Sequence, residues 1–330
     1  MQDNGFRQVS VCAEKKRKTK YEKAACSYFE RNPAAAKDRP ARLRNESEPR
    51  PRIFQEGTQG AVYDDVFNPQ SIFNMLFFNI KAVLIYPTLE ELKSKNPKMY
   101  ERWEYLVQTK KLINPIHDLV DNEVREYVQK IYEDNAIQYP EFSKIVAITY
   151  AITYSEKGEL KRQLKRIAND DEIVVIEQFM YVLDETSKDD SKSSPQVFSI
   201  LCGHNIISYD IPLLMKRYMF HRKEFQTIKH LPYLLKRAFN VKPWESGIID
   251  TVNVWKFNGF DYSPLMLISD FLGLKKTVDI LPNNELSKYY WENFSEKPVE
   301  TLEFVALQSA TQTNLVIQLI NELRQVSTTH

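Results

Sequence analysis

Two short apolar runs constrain the fold of this chain more than any other feature of its sequence. They are Met75–Ile80 and Val197–Cys202, each bounded by polar or turn-forming residues. Runs of this length are too short for a buried helix and are typical of strands covered on both faces by other elements. We therefore expect an α/β fold with a buried, mixed sheet at its centre, flanked by helices.

The remaining segments supply a hairpin and the helices that would cover such a sheet. Lys144–Ala151 and Leu160–Ile167 are separated by a short polar turn, a pattern that predicts an antiparallel pair. Thr88, with Glu91 three residues later, has the spacing of a capping box that starts a helix running towards Gln108. Further helices are predicted at 121–135, 170–183, 211–221, 231–239, 264–271, 285–294 and 299–323, and another strand at 247–252.

The amino-terminal segment differs in composition from the rest. Residues 1–57 carry 14 Lys/Arg and 8 Asp/Glu, whereas the whole chain has a formal net charge of +1. Charge clusters and proline residues leave little periodicity, which is typical of an extended or disordered segment. We expect residues 1–68 to form a basic arm, either a solvated tail or an attachment to phosphate groups or a partner, and residues 69–328 to form the folded domain.

Cysteine content and hydropathy bear on the compartment. The three cysteines, Cys12, Cys26 and Cys202, have neither an even count nor metal-type spacing, which favours a reducing environment. No apolar run approaches the roughly 20 residues that a membrane-spanning helix needs. Charges also stand where a secretory signal would be apolar. We expect a cytoplasmic protein without a membrane partner.

The segment Leu201–Leu214 carries the most specific functional signal. A strand ends at Gly203, Asn205 lies in a polar turn, and Asp210 stands where the next helix begins. The carboxylate of Asp210 could accept hydrogen bonds from the free N–H groups of that helix, and this capping role alone would explain an Asp at the position. Spacing alone therefore leaves both a structural and a functional role open for Asp210.

The same segment resembles the second exonuclease motif of the proofreading domain of family B DNA polymerases. In that motif an Asn and an aromatic-Asp pair follow a strand at this spacing, which Asn205, Tyr209 and Asp210 match. The chain is more specifically similar to stand-alone predicted 3′–5′ exonucleases of bacteria and phages, over roughly residues 74–325. The resemblance implies an RNase H-like fold of the DEDD superfamily, in which four acids hold two divalent ions. Supporting strings are Tyr139–Val146, Lys242–Trp244, Ile249–Thr251 and Trp255–Phe257.

Two of the four acidic positions fall on the first predicted strand, and neither holds an acid. Where the family has Asp-Ile-Glu-Thr, this chain reads Asn-Ile-Lys-Ala at residues 79–82. Asn79 still offers a neutral carbonyl oxygen, but Lys81 places an ammonium where a cation should bind. Like charges at about 4 Å repel by roughly 4 kcal/mol at an effective dielectric near 20, which would lower metal affinity about a thousandfold. The alternative is a misaligned strand, with a different acid as ligand.

The last helix also lacks its acid. Where the family has Tyr-x-x-x-Asp, the best register gives Phe304 and Gln308, and a shift of one residue gives Val305 and Ser309. Neither register supplies a carboxylate or a phenol. Of the four motif positions, only Asp210 is still an acid. We therefore expect weak metal binding at Asp210 or none. No cofactor is expected, with Mg²⁺ or Mn²⁺ needed only for residual activity.

Other residues near the motif are candidates for binding. His204 could donate to phosphate, although a His at a strand end more often satisfies backbone groups. Trp255 and Phe257 could stack on bases, although core packing is expected for at least one of them. The resemblance implies a structural or binding role for Asp250. Expected nucleic-acid contacts are Asn205, Tyr209, His204 and Trp255, and a phosphate-tracking rim or a solvated helix face is expected at Lys216-Arg217 and Arg222-Lys223.

Three functions are open on this interpretation. The first, favoured by the lost acids, is a degenerate 3′–5′ exonuclease-like protein, a pseudoenzyme that binds single-stranded DNA or other nucleic acid or serves as a scaffold in a replication or phage-related assembly. The second is an active, metal-dependent 3′–5′ DNA exonuclease. The third is a purely structural interaction protein whose basic arm contacts a polymerase or assembly partner. A phage-encoded protein would lie in the bacterial host cytoplasm or in the virion.

Overall fold

The computed structural model describes residues 71–112, 121–157, 159–186, 200–225, 227–228, 230–240, 247–257, 259–260 and 262–328. The chain divides into two units, Met1–Phe54 and Gln55–His330, and every described residue belongs to the second. The predicted arm, residues 1–68, thus lies outside the described residues. In the part of the chain that is described, no helix combines the length and apolar character needed to cross a membrane.

The described residues contain five strands, which form one mixed sheet in the order β3-β2-β1-β4-β5. Strands β1, β2 and β3 pair antiparallel, whereas β4 lies parallel to β1 and β5 lies parallel to β4. The predicted α/β fold with a mixed sheet is therefore confirmed. The strand bounds are β1 Met75–Leu84, β2 Ser143–Glu156, β3 Glu159–Ala168, β4 Ile200–Gly203 and β5 Ile248–Asp250.

Helices flank this sheet, and each helix predicted beyond residue 120 is present with slightly shifted ends. A 3₁₀ turn, Ser71–Asn74, precedes β1, and a π-helical turn, Ile206–Asp210, precedes the helix after β4. The α-helices among the described residues are α1 Leu89–Lys95, α2 Pro97–Lys110, α3 Asp121–Ala136, α4 Glu172–Thr186, α5 Ile211–His221, α6 Tyr233–Asn240, α7 Thr251–Trp255, α8 Leu265–Leu272, α9 Asn283–Asn293 and α10 Pro298–Thr328.

The predicted hairpin is also present. Strands β2 and β3 pair from Ala147 with Ala168 to Glu156 with Glu159, and Lys157 in the turn has a positive φ of 53°. Strand β3 lies at the edge of the sheet and is mostly exposed. Its Lys and Arg side chains disfavour pairing of that open edge with another chain.

The single helix predicted after Thr88 is two helices. Thr88 caps α1 as expected, because its Oγ1 accepts a hydrogen bond from the N–H of Glu91 at 3.1 Å. Helix α1 ends before Asn96, since Pro97 disfavours helical geometry in the residue before it and has no N–H to donate. The Oδ1 of Asn96 then caps α2 by accepting from the N–H of Met99 at 3.3 Å.

The strands differ from their predicted bounds, β2 by the most because it runs from Ser143 to Glu156, and two of the differences arise at polar side chains. Lys81, expected to end the first strand, is buried within β1 opposite Ala147, and β1 continues to Leu84. Strand β5 is shorter than predicted because the carboxylate of Asp250 accepts from the N–H of Val252 at 3.0 Å and starts α7. Both differences arise from polar side chains that are buried by tertiary contacts, which a local pattern does not reveal.

Side chains of β1 alternate between two hydrophobic clusters. Leu76, Phe78, Ile80 and Ala82 pack with α4, α5 and α6 on one face of the sheet, whereas Met75 and Phe77 pack with α8 and α10 on the other. Successive side chains of a strand point to opposite faces. Asn79 and Lys81 therefore belong to the face that α10 covers.

Candidate nucleic-acid cleft

A cleft of about 550 Å³ opens beside β1, where that strand runs past the end of β4. Pairing between the two strands stops at Phe77, because β4 ends at Gly203. Gly203 is required by close packing, since a Cβ there would lie 2.9 Å from the carbonyl oxygen of Phe78. The cleft is lined by residues of β1, the turn before α5, the segments 262–266 and 280–283, and α10.

Asp210 lies in this cleft and completes the open edge of β1. Its side chain is 2% exposed, and its Oδ1 accepts a hydrogen bond from the N–H of Ile80 at 2.7 Å. The helix cap that the sequence left open is not formed. Burial raises the pKa of Asp210 to about 7, although the Ile80 N–H and the ammonium of Lys81 both favour the charged carboxylate.

Lys81 reaches the same cleft from β1, and its side chain is 2% exposed. Burial lowers its pKa to about 8, and attraction to Asp210 offsets part of that effect. Neither an ion pair nor a hydrogen bond joins the ammonium of Lys81 to another residue of the described part. The two charged groups thus attract each other without a hydrogen bond or ion pair between them.

Asn79 contributes an unpaired polar atom to the cleft. Its Oδ1 is buried and has no hydrogen-bond partner among the described residues. Its backbone oxygen accepts from the Oγ of Ser309 at 2.9 Å, which fixes α10 against β1 at this point. A buried oxygen without a donor is costly, so a ligand or water that supplies a donor is expected beside Asn79.

Gln308, the predicted fourth position, lies next to the cleft and not in its lining. Its Oε1 accepts from the N–H of Leu281 and its Nε2 donates to the carbonyl oxygen of Asp279, both at 2.9 Å. Gln308 therefore fixes one wall of the cleft to α10. One helical turn later, Gln312 lines the cleft itself. The i,i+4 spacing from Gln308 is the sequence signal that indicates Gln312.

Asp250 shapes the turn that carries the predicted contacts. Its Oδ1 accepts from the N–H of Asn205 at 2.7 Å, and its Oδ2 accepts from the N–H of Ile207 at 3.0 Å. Asn205 has a positive φ of 63°, which Asn tolerates better than most residues, and it lines the cleft. Asp250 thus has the structural role that the resemblance implies.

His204 and Tyr209 line the cleft, but both are bonded to other protein groups. Nδ1 of His204 shares a hydrogen bond with Oγ1 of Thr251 at 2.9 Å. Burial lowers the pKa of His204 to about 4, and the backbone of Ser263 offsets only part of this, so the ring is neutral at pH 7. The hydroxyl of Tyr209 donates to the carbonyl oxygen of Ile137 at 3.4 Å, and burial raises its pKa. Neither residue brings charge to the cleft.

Two other predicted contacts lie elsewhere, and one lining residue was not predicted. Trp255 packs against the cluster on the α10 face and is not among the cleft-lining residues. Arg217 is buried, and its guanidinium donates to both carboxylate oxygens of Glu172, so it does not form a phosphate-tracking rim. Tyr262, which no motif indicates, lines the cleft and is 55% exposed.

The donor set of the cleft does not fit a divalent cation. Asp210 is the one carboxylate among the described lining residues, and the other side-chain oxygens belong to neutral groups. The described residues contain no group of three or more His, Cys, Asp and Glu side chains that could hold a metal. Mg²⁺ prefers several hard, charged oxygen ligands, and the ammonium of Lys81 opposes it.

The chain matches no known family model, and no curated protein matches it. Its function must therefore be inferred from the residues of the cleft and from their chemistry.

Proposed function

We propose that this protein is a degenerate 3′–5′ exonuclease-like protein with an RNase H-like fold, which binds single-stranded nucleic acid without hydrolysing it efficiently. The observation that carries the proposal is the convergence of Asn79, Lys81 and Asp210 on one cleft. These residues come from β1 and from the turn before α5. The resemblance assigns metal-binding acids of exonucleases to the same three positions.

The side chains at these positions disfavour metal-dependent hydrolysis. Two-metal catalysis needs carboxylates that hold both ions and stabilise the attacking and leaving oxygens. Here Asn79 is neutral, Lys81 is cationic, and burial raises the pKa of Asp210 to about 7, so that even this acid is partly protonated near neutral pH. An active exonuclease with shifted ligands would need further acids, and none is among the described residues that line the cleft.

Other features of the cleft favour binding of a single strand. Asn205, Ser208, Asn283 and Gln312 line it with neutral groups that can both donate and accept hydrogen bonds. Tyr262 presents a half-exposed ring on which a base could stack without sequence preference. A purely structural protein would have no need of an open cleft of this polarity. A replication or assembly partner that contacts residues 1–68 belongs to the same proposal.

Fluorescence anisotropy with a labelled oligothymidylate tests binding in the presence of EDTA. We expect the full chain to bind, and Tyr262→Ala to weaken binding by about 1–3 kcal/mol, the contribution of one stacked base. Tyr181→Ala is a matched control, because Tyr181 is 59% exposed on α4 and does not line the cleft. Absence of binding, or equal losses in the two variants, would contradict the proposal.

A further inference from the structure

We infer that Lys81 acts as a built-in cation that holds a phosphate group in the cleft, so that the protein binds phosphate-containing ligands without a metal ion. The assignment of that phosphate to nucleic acid rests on the proposed function. The phosphate site itself rests on the environment of Lys81.

The ammonium of Lys81 has no hydrogen-bond acceptor among the described residues. An ammonium has three N–H donors, and the side chain is 2% exposed. No described residue forms a hydrogen bond or ion pair with it. Burying a charge without such partners is costly. The acceptors must therefore come from the cleft that Lys81 lines, and an anionic oxygen is the strongest acceptor a ligand can offer.

The other charged group of the cleft is already bonded to the main chain of β1. Asp210 is the one other charged residue among its described lining residues, and its Oδ1 is already bonded to the N–H of Ile80. No direct contact joins it to Lys81. Neutral donors of Asn205, Ser208 and Gln312 line the same space and can bond the remaining oxygens of a phosphate.

Asn79 narrows the ligand to a phosphate attached to a group with a hydrogen-bond donor. Its Oδ1 is buried and unpaired within the described residues, and it belongs to the same strand face as Lys81, two residues away. The phosphate monoester dianion of a nucleotide supplies acceptors only, whereas its sugar hydroxyl or base N–H would donate to Asn79. Inorganic hydrogen phosphate has a single O–H, on the phosphate itself. Because Asn79 and Lys81 are two residues apart on the strand, a nucleotide or a nucleic-acid terminus, whose donors lie apart from the phosphate oxygens, fits the pair better.

Isothermal titration calorimetry of the full chain in EDTA tests this inference with thymidine 5′-monophosphate and thymidine. We expect the nucleotide to bind roughly tenfold to a hundredfold more tightly than the nucleoside, the range of a hydrogen bond to a charged group. Lys81→Met should abolish that difference. Lys98→Met, a change at an exposed lysine of α2, should leave the difference between nucleotide and nucleoside unchanged. Lys81→Arg should retain most of that difference because it keeps the positive charge.

Separate arms identify the source of the phosphate. Inorganic phosphate that displaces the nucleotide with equal affinity would show that the phosphate group alone is recognised, and weak displacement would support the role of Asn79. Equal binding of nucleotide and nucleoside, dependence on added Mg²⁺, or an unchanged difference in a folded Lys81→Met protein would overturn the inference. Oligonucleotide binding that survives Lys81→Met overturns the inference and leaves the proposed function standing. Nucleotide binding that depends on Lys81, without any oligonucleotide binding, would support the inference and overturn the proposed function.

Discussion

Replacement of Lys81 by Met should stabilise the folded protein while weakening phosphate binding. Met is similar to Lys in volume but has no ammonium to desolvate. The pKa of Lys81 falls from 10.5 to about 8. Since one pKa unit corresponds to about 1.4 kcal/mol, keeping the charge in the fold costs about 3 kcal/mol. At pH 6 Asp210 is mostly protonated, so Lys81→Met loses little electrostatic attraction between Lys81 and Asp210. We therefore expect the substitution to raise the free energy of unfolding by about 2–3 kcal/mol.

Urea unfolding at pH 6, followed by tryptophan fluorescence, measures this gain. Trp103 is buried and should report the loss of structure. Lys98→Met is the control, and a substitution at such an exposed site should change the free energy of unfolding by no more than about 0.5 kcal/mol. A Lys81→Met protein less stable than the wild type would refute this prediction, because the ammonium would then have stabilising partners in the fold.

Three further predictions concern other buried polar groups. The pKa of Asp210 is raised from 3.8 to about 7 in the folded protein. The folded state therefore binds more protons than the unfolded state between these pH values, and it loses stability as pH rises through them. In urea unfolding from pH 4.5 to 7.5, the free energy of unfolding of Asp210→Asn should rise relative to that of the wild type. Gln308→Leu leaves backbone groups of residues 279–281 unpaired and should lower the free energy of unfolding by about 1–3 kcal/mol per group; faster amide exchange in that segment would check this, and unchanged exchange would contradict it. Arg217→Met removes the guanidinium from buried Glu172, which keeps its hydrogen bonds with His221 and with the N–H of Ile145, and should cost about 3 kcal/mol, a loss visible in thermal melting and refuted by an unchanged midpoint.

Local chemistry accounts for the parts of the fold that the sequence predicted well. The capping box at Thr88 and the β2–β3 hairpin depend on neighbouring residues, and both are present. Helix α5 has the predicted bounds, Ile211–His221, because a turn and Pro212 fix where it begins. Pro97 was an equally local signal, which the prediction of one helix from Thr88 towards Gln108 left out.

Tertiary contacts determine the features that sequence patterns did not indicate. Lys81 is polar and therefore predicted a strand end, yet the α10 face of the sheet buries it. Gln312 lines the cleft instead of Gln308 because the rotation of α10 is set by its packing on β1. Tyr262 belongs to an irregular segment without periodicity, so only the folded chain brings it to the cleft beside His204.

Incubation of excess protein with a 5′-labelled single-stranded oligonucleotide and Mg²⁺ or Mn²⁺ tests the central claim most directly. The products are resolved by length on a denaturing gel, and anisotropy in the same buffer shows whether the strand is bound. We predict a bound strand that keeps its full length, because Lys81 and Asn79 occupy the positions to which the resemblance assigns metal ligands. Metal-dependent shortening from the 3′ end that disappears in Asp210→Ala would contradict the account.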